Sequence, residues 1–335
     1  MEASHDHIKL TSSELSALFG SYLNTTLEVC VISYFLEHVE DPDVKSCLEY
    51  ALTLAKTQIA TITDLYKVEG HTVPVGFTEQ DVNVKAPRLF SDELMLYYVQ
   101  GLGSVGLNTH SVALPSSSRH DIREFYTSCL QSSAELFNRS TDVLQEKGLY
   151  IRPPYIPYPK QTEFIHKQHF LAGWMGEQRG LTSVEISFLF MNLYRNTLET
   201  AMLTGFSQVA QSKDVRRYLA RGAEMSQHHC AVFRKFLEES NLPAPVSWGL
   251  MPTTSREPVF SDKLMMFHAA TLNTAGVGYY GASMGGSPRR DLTVAYTRLL
   301  IEIGELAADG ANIMIENGWL ERPPSAPDRS DLAKG

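Results

Sequence analysis

The chain has 335 residues, 43% of them hydrophobic and 20% charged, a balance that fits a globular protein with two cores and excludes a disordered or collagen-like polymer. Its formal charge of −9 supplies no basic footprint for nucleic acid and repels an anionic membrane surface. No uninterrupted apolar stretch reaches the roughly 18 residues that a membrane span requires, so neither nucleic acid nor membrane is expected as a partner.

In chain order, the opening MEASHDHIKL lacks a basic region followed by an apolar run. No secretion signal is expected, and His5, Asp6 and His7 read as the mobile terminus of a cytoplasmic protein. Thr11 stands three residues before Glu14, the spacing at which hydroxyl and carboxylate satisfy each other's exposed backbone amides. Apolar residues then recur at helical spacing through Leu15, Leu18, Tyr22 and Val29, and again through Val44, Leu48, Leu52, Ala55, Ile59 and Ile62. A long connection, Gly70 to Phe90, leads to a third helix that starts after an N-cap at Ser91 and follows Leu94, Tyr98, Leu102 and Val105. At about 3.3 Å per residue such a connection can run the length of a helix of about 40 Å. It allows the third helix to lie parallel to the second, the single long crossover of ferritin-like bundles. The fourth helix, with Ser118 as its expected N-cap, follows Ile122, Tyr126, Cys129, Leu136 and Val143. Gly148 is placed for a left-handed C-cap, and Pro153 and Pro154 prevent the helix from resuming.

After this proline-rich turn and a short apolar segment, Phe164 to Met175, expected to form a linker helix, the whole pattern returns. LTSSEL reappears as LTSVEI, carrying Glu14 onto Glu185 at a shift of 171. FSDEL reappears as FSDKL, SRHD as PRRD and EKGLYIRPP as ENGWLERPP, carrying Phe90 onto Phe260, Asp121 onto Asp291 and Arg152 onto Arg322 at a shift of 170. This is an internal duplication. The second copy keeps its apolar phase through Leu189, Leu193, Leu219, Phe233, Leu264, Leu272, Tyr296, Leu299, Ile303 and Leu306, with Thr182, Ser261 and Ser287 at helix starts and Gly318, Pro323 and Pro324 at the end. The expected fold is all-α: two tandem ferritin-like four-helix bundles at residues 8–150 and 181–325, joined by a linker at 151–180. Cys30, Cys47, Cys129 and Cys230 face Ala201, Tyr218, Leu299 and Ile59 in the other copy, which reads as buried filler rather than as disulfides.

The string VPVGFTEQDVNVKAPRLFSDELMLYY, followed by SRHDIREFY and KGLYIRPPYIPYP, resembles a family of unknown function from spore-forming Gram-positive bacteria. Its members are similar to Coat F-type spore coat proteins and carry ferritin-like bundles, often in tandem. The resemblance covers essentially the whole chain, twice, and departs in the second crossover, where PVSWGLMPTTSREPVFSD replaces the first copy's wording. It implies the fold and a spore association, and it implies no reaction.

A ferritin-like fold poses the question of a two-metal carboxylate centre, which needs a Glu from each of two helices and a Glu-x-x-His pair from each of the other two. Neither copy has one. The nearest strings are Glu224 to Gln227, Glu135 to Asn138 and Glu305 to Ala308, and the last two glutamates point about 100 to 160 degrees away from the apolar stripe, toward water. In the second copy Glu199, His229 and His268 are in phase with the apolar faces of three helices. They could hold one divalent ion, iron, manganese or zinc, in an otherwise dry bundle. Alternatively they are buried groups satisfied by one another or by neighbouring hydroxyls. The matching first-copy set, Glu28, Gln58 and Tyr98, suits hydrogen bonding better than metal. GLGSVG at Gly101–Gly106 and GVGYYG at Gly276–Gly281 match a dinucleotide fingerprint, but each lies in a helical stretch with no preceding strand, so no phosphate site is expected. Gly278, Gly281, Ala282 and Gly285 are expected instead to admit another backbone at close range, between the two bundles or between subunits. EISFLFMNLY, Glu185 to Tyr194, is apolar nearly all round and is expected to be covered on more than one side. No GxSxG setting or other catalytic string appears.

The sequence therefore reads as a non-enzymatic structural or interaction protein that engages protein partners or itself and needs no cofactor. Two alternatives stand beside that reading: a metal-binding protein using Glu199, His229 and His268, and a small-molecule binder with Tyr97, Tyr98, Tyr279 and Tyr280 lining a pocket.

Overall fold

In the computed structural model, which describes residues 8–173, 179–244, 250–327 and 329, helices begin where boundary residues supply hydrogen-bond partners. His5, Asp6 and His7 lie outside the described residues. Thr11 accepts the Glu14 N–H at 3.3 Å while Glu14 accepts the Thr11 N–H at 2.7 Å, and this reciprocal pair opens α1, Ser12–His38. Asp41 caps α2, Pro42–Val68, whose Pro42 sits where a missing N–H leaves no bond unmade. Ser91 precedes α3, Asp92–Ala113, and accepts the Leu94 N–H at 3.2 Å. Then come α4, His120–Glu146, and α5, Ser183–Val209, the latter opened by Thr182 and Glu185 as α1 is by Thr11 and Glu14. Ser212 caps α6, Lys213–Glu239, Ser261 caps α7, Asp262–Gly286, and α8 spans Arg290–Glu316. Gly148 and Gly318, at φ of +68° and +66°, occupy the left-handed region that ends α4 and α8. Among the described residues these eight helices and no strand make the fold all-α.

Two expected caps are displaced. The N–H groups of Arg123 and Thr293 bond to the carbonyls of Arg119 and Arg289, so those arginines hold the N-cap positions that Ser118 and Ser287 were expected to fill; Ser287 instead ends α7. The reason is a carboxylate from another helix. Glu14 accepts the N–H groups of Ser118 at 2.8 Å and Arg119 at 2.9 Å, and Glu185 accepts that of Arg289 at 3.1 Å. One glutamate per copy thus caps its first helix and the start of its last.

The short helix expected over Phe164 to Met175 is a single 3-10 turn, Gln168–Leu171, with no side-chain cap, and Met175 lies outside the described residues. Six helices, α1, α2, α4, α5, α6 and α8, are 27 residues long, about 40 Å each. By length and composition α1 is apolar enough to cross a membrane, and 50% of its most apolar window is buried in the fold.

By packing, the chain divides into one unit of Met1–Val82, Val99–Val143 and Gly318–Gly335 and another of Asn83–Tyr98 and Leu144–Asn317. The first closes over Leu18 of α1, Ile62 and Tyr66 of α2, Ala113 of α3, and Ile122, Phe125, Tyr126 and Cys129 of α4. In the second, α5 packs along α6 and α7, and α8 against both of these, around Leu189, Leu193, Phe233, Tyr280, Tyr296 and Leu299. This unit holds residues of both repeats. Phe90 and Phe260, equivalent positions, both pack edge-on to Phe206, with ring centroids 6.3 and 5.6 Å away. The hydroxyl of Tyr98 and Nε2 of His268, also equivalent, lie 3.1 Å apart.

The glycines correct the within-chain half of one expectation. A Cβ at Gly278, Gly281 or Gly285 would meet nothing within 4 Å, because these positions turn away from the Asn273–Gly276–Tyr280–Ser283 face that α7 buries. Close approach occurs in the first copy, where a Cβ on Gly103 would lie 2.7 Å from the Phe137 backbone nitrogen. The apolar opening of α5 buries Ile186, Leu189, Phe190 and Leu193 while Val184 and Met191 stay exposed. All four cysteines are buried free thiols.

Candidate functional site

Polar residues meet midway along the second unit, within its apolar core. Asn192 and Asn196 stand four apart on α5 and so share a face. The Asn196 amide donates to the Asn192 carbonyl at 2.7 Å and to the Tyr280 hydroxyl of α7 at 2.8 Å, and the Asn192 amide donates to Ser283 at 2.8 Å. The Glu302 carboxylate that faces Nε2 of His229 on α6 can only accept, so the Tyr280 hydrogen is directed at Nδ1 of that ring, 2.9 Å away. Nε2 then carries the imidazole proton and faces Glu302 of α8 at 3.2 Å. A phenol–imidazole–carboxylate relay therefore leads from the fully buried Tyr280 and His229 to a carboxylate that is 41% exposed. Burial lowers the pKa of His229 and the Glu302 carboxylate opposes it, with the direction set by burial, so the ring is neutral. His228, exposed on the same helix, faces Glu302 from 3.9 Å.

Beside the relay lies a cavity of about 10 Å³ lined by Arg195, Asn196, Glu199, Met225, His229, Leu272, Asn273, Gly276, Tyr280 and Ile303. That is room for about one water molecule. Burial pushes the Glu199 carboxyl up to about 7, against the Arg195 charge and the Ser226 hydroxyl, which pull it down. The Arg195 guanidinium lies 3.5 Å above the Tyr279 ring, a cation–π contact.

Of the residues the sequence proposes as ligands, Glu199 and His229 share this cavity. His268 is not among its lining residues: it bonds to Tyr98, packs against Phe206 at 5.3 Å, and is held by burial to a pKa of about 4. No group of three His, Cys, Asp or Glu that could hold a metal occurs among the described residues. Glu135 and Glu305 are exposed. In the first copy, burial raises Glu28 to about 7, Gln58 accepts from Thr25 at 3.3 Å, and Tyr98 belongs to the other packing unit. The four tyrosines are each engaged: Tyr97 donates to the Leu149 carbonyl, Tyr98 meets His268, Tyr279 lies under Arg195, and Tyr280 heads the relay.

Sequence reasoning passed over Arg195, Asn196 and Glu302. A signal existed for the asparagines, a polar pair at i and i+4 inside the apolar run of α5. Glu302 sits at the edge of the α8 stripe, next to buried Ile303, and its partner on α6 is 73 residues away.

A sequence profile described as "Protein of unknown function (DUF3231)" matches residues 2–162 and again 169–332. No protein of curated function matches the chain. A crystal structure from Bacillus halodurans, that of a "putative spore coat protein", is similar at 15% identity, over 45% of this chain and 98% of that one, with a TM-score of 0.43.

Proposed function

We propose, for a chain that belongs to the DUF3231 family of proteins of unknown function and carries that domain twice, a non-enzymatic role as a structural or interaction protein, each copy arranged as a ferritin-like bundle. It engages other proteins or further copies of itself. One observation carries this reading: most of the groups that could have done chemistry are paired within the chain. Both ring nitrogens of His229 have partners, and Glu14 and Glu185 fasten helix ends, while His268 meets Tyr98 through Nε2 and keeps a buried Nδ1 without a hydrogen-bond partner among the described residues. A buried polar group so satisfied specifies packing rather than reactivity. Association with spores is part of the proposal and rests on the wording shared with the Coat F-like family. Sedimentation of the untagged protein tests the interaction role: species heavier than the 37.4 kDa chain are expected to grow with concentration. A fluorescent fusion in a sporulating host tests the location. Fluorescence that stays diffuse throughout sporulation counts against it.

A second reading, one divalent ion held in the α5–α8 cavity, is favoured by the presence of Glu199 and His229 on a space of single-atom size. Arg195 on the same wall opposes a cation, and His268 would have to be replaced as a ligand by Asn196, Asn273 or Tyr280. Stoichiometric iron, manganese or zinc in the untagged protein, lost in His229→Ala, would favour this reading over the first. The α5–α8 cavity, at about 10 Å³, is too small for a small-molecule ligand, which needs about 300 Å³ or more.

A further inference from the structure

We propose that residues 152–165 form a docking strap that binds a second copy of this chain. This rests on the interaction role above and names the element that performs it. The strap has no regular secondary structure and displays Tyr155, Tyr158, Phe164 and Ile165 at 75%, 84%, 78% and 63% exposure. Large apolar side chains gathered on one exposed segment mark an interaction site, whereas single ones do not. The rings of Tyr155 and Tyr158 pack edge-to-face at 6.0 Å, forming one aromatic knob. Pro153, Pro154, Pro157 and Pro159 restrict the free chain, so less conformational freedom is lost on docking.

The duplication supplies an internal control. RPPYIPYP at 152–159 corresponds to RPPSAPDR at 322–329, so Arg-Pro-Pro is kept while Tyr155, Ile156 and Tyr158 face Ser325, Ala326 and Asp328. The kept prolines end the helix in both copies. The aromatic residues are dispensable for that, which leaves them for another purpose.

Charge selects the partner. Within 152–165 the strap carries Arg152 and Lys160 against Glu163, a local excess of +1 in a chain of −9. A second copy therefore presents an acidic body to a basic, aromatic strap. Strap and body are different surfaces, so the contact is heterologous: it closes when two copies exchange straps and otherwise propagates.

The test is sedimentation velocity of the full chain from about 1 to 100 μM, beside the variant Tyr155→Ser, Ile156→Ala, Tyr158→Asp, which installs the second copy's residues. The wild type is expected to associate, and the variant to do so at least tenfold more weakly. Should the variant melt at a lower temperature, a synthetic 150–168 peptide added to the wild type decides instead, since it is expected to disperse the assembly. Association that neither the variant nor the peptide alters overturns the strap and leaves the interaction role standing. A wild type that remains monomeric overturns self-association altogether. A peptide that binds phosphatidylcholine vesicles and not the protein assigns the segment to a lipid surface, against the proposal.

Discussion

Replacing Glu14 by Gln removes a charge that has no exposed surface and on which two helix starts converge. Its carboxylate accepts from the Thr11 N–H and hydroxyl at 2.7 and 2.8 Å, the Ser118 N–H and hydroxyl at 2.8 and 3.1 Å, and the Arg119 N–H at 2.9 Å. Burial by itself would raise the pKa, but the amides of Arg119, Thr11 and Ser118, with the Thr11 hydroxyl, outweigh it and bring the group down from 4.5 to about 2. A pKa lowered by folding contributes stability that is fully present above the unfolded value and is lost as pH falls through the folded one. The shift corresponds to about 3 kcal/mol at pH 7, of which about 1 kcal/mol remains near pH 3 and almost nothing below pH 2. Gln keeps one acceptor oxygen and the side-chain shape but turns its NH2 toward an N–H donor, a loss common to every pH, so the charge is read from the change of the difference with pH. Urea unfolding followed by far-ultraviolet circular dichroism should separate wild type and variant by about 2 kcal/mol more at pH 7 than at pH 3. An equal separation at both pH values would refute the reasoning, because the loss would then be geometric rather than ionic.

Four further outcomes are expected. Since burial pushes Glu199 up to about 7, its ionisation destabilises the fold as pH rises from about 4.5 to about 7; Glu199→Gln should stabilise by about 3 kcal/mol at pH 8 and leave pH 4 unchanged in thermal melts. Gly103→Ala, which drives a Cβ to 2.7 Å from the Phe137 backbone, should cost about 2 kcal/mol or more. Gly281→Ala, with open space around it, should instead stabilise by about 0.5 to 1 kcal/mol through helix propensity. Tyr280→Phe leaves the Asn196 amide and His229 Nδ1 without their partner; a loss of about 1 to 3 kcal/mol is expected, with altered nitrogen shifts of the His229 ring by NMR.

How much the sequence discloses depends on how far each signal reaches along the chain. The Thr11–Glu14 and Thr182–Glu185 pairs act over three residues, and both form as their spacing requires. The same two glutamates also reach partners 104 residues away, and nothing local announces that. It appears in the sequence only as the recurrence of SRHD and PRRD, and its effect is to take the cap role from Ser118 and Ser287. Glu199 and His229 were legible because an in-phase polar residue on an apolar helix must face inward. His268 satisfies the same rule yet lies apart from them, because phase fixes a direction around the helix axis and not a depth along the bundle. The small residues of α7 show the limit of pattern reading: a stripe at helical spacing describes a face, and whether a neighbour occupies it depends on the packing of other helices.

Each repeat shuts with its own hasp. Glu14 with Thr11, Ser118 and Arg119 belongs wholly to the first half of the gene product, and Glu185 with Thr182 and Arg289 wholly to the second. A half-length ancestor would already have owned a complete fastening, so doubling demanded no invention at the junction. Damage to one hasp leaves its twin engaged, and each half is free to drift in its loops and tails while its helices stay latched.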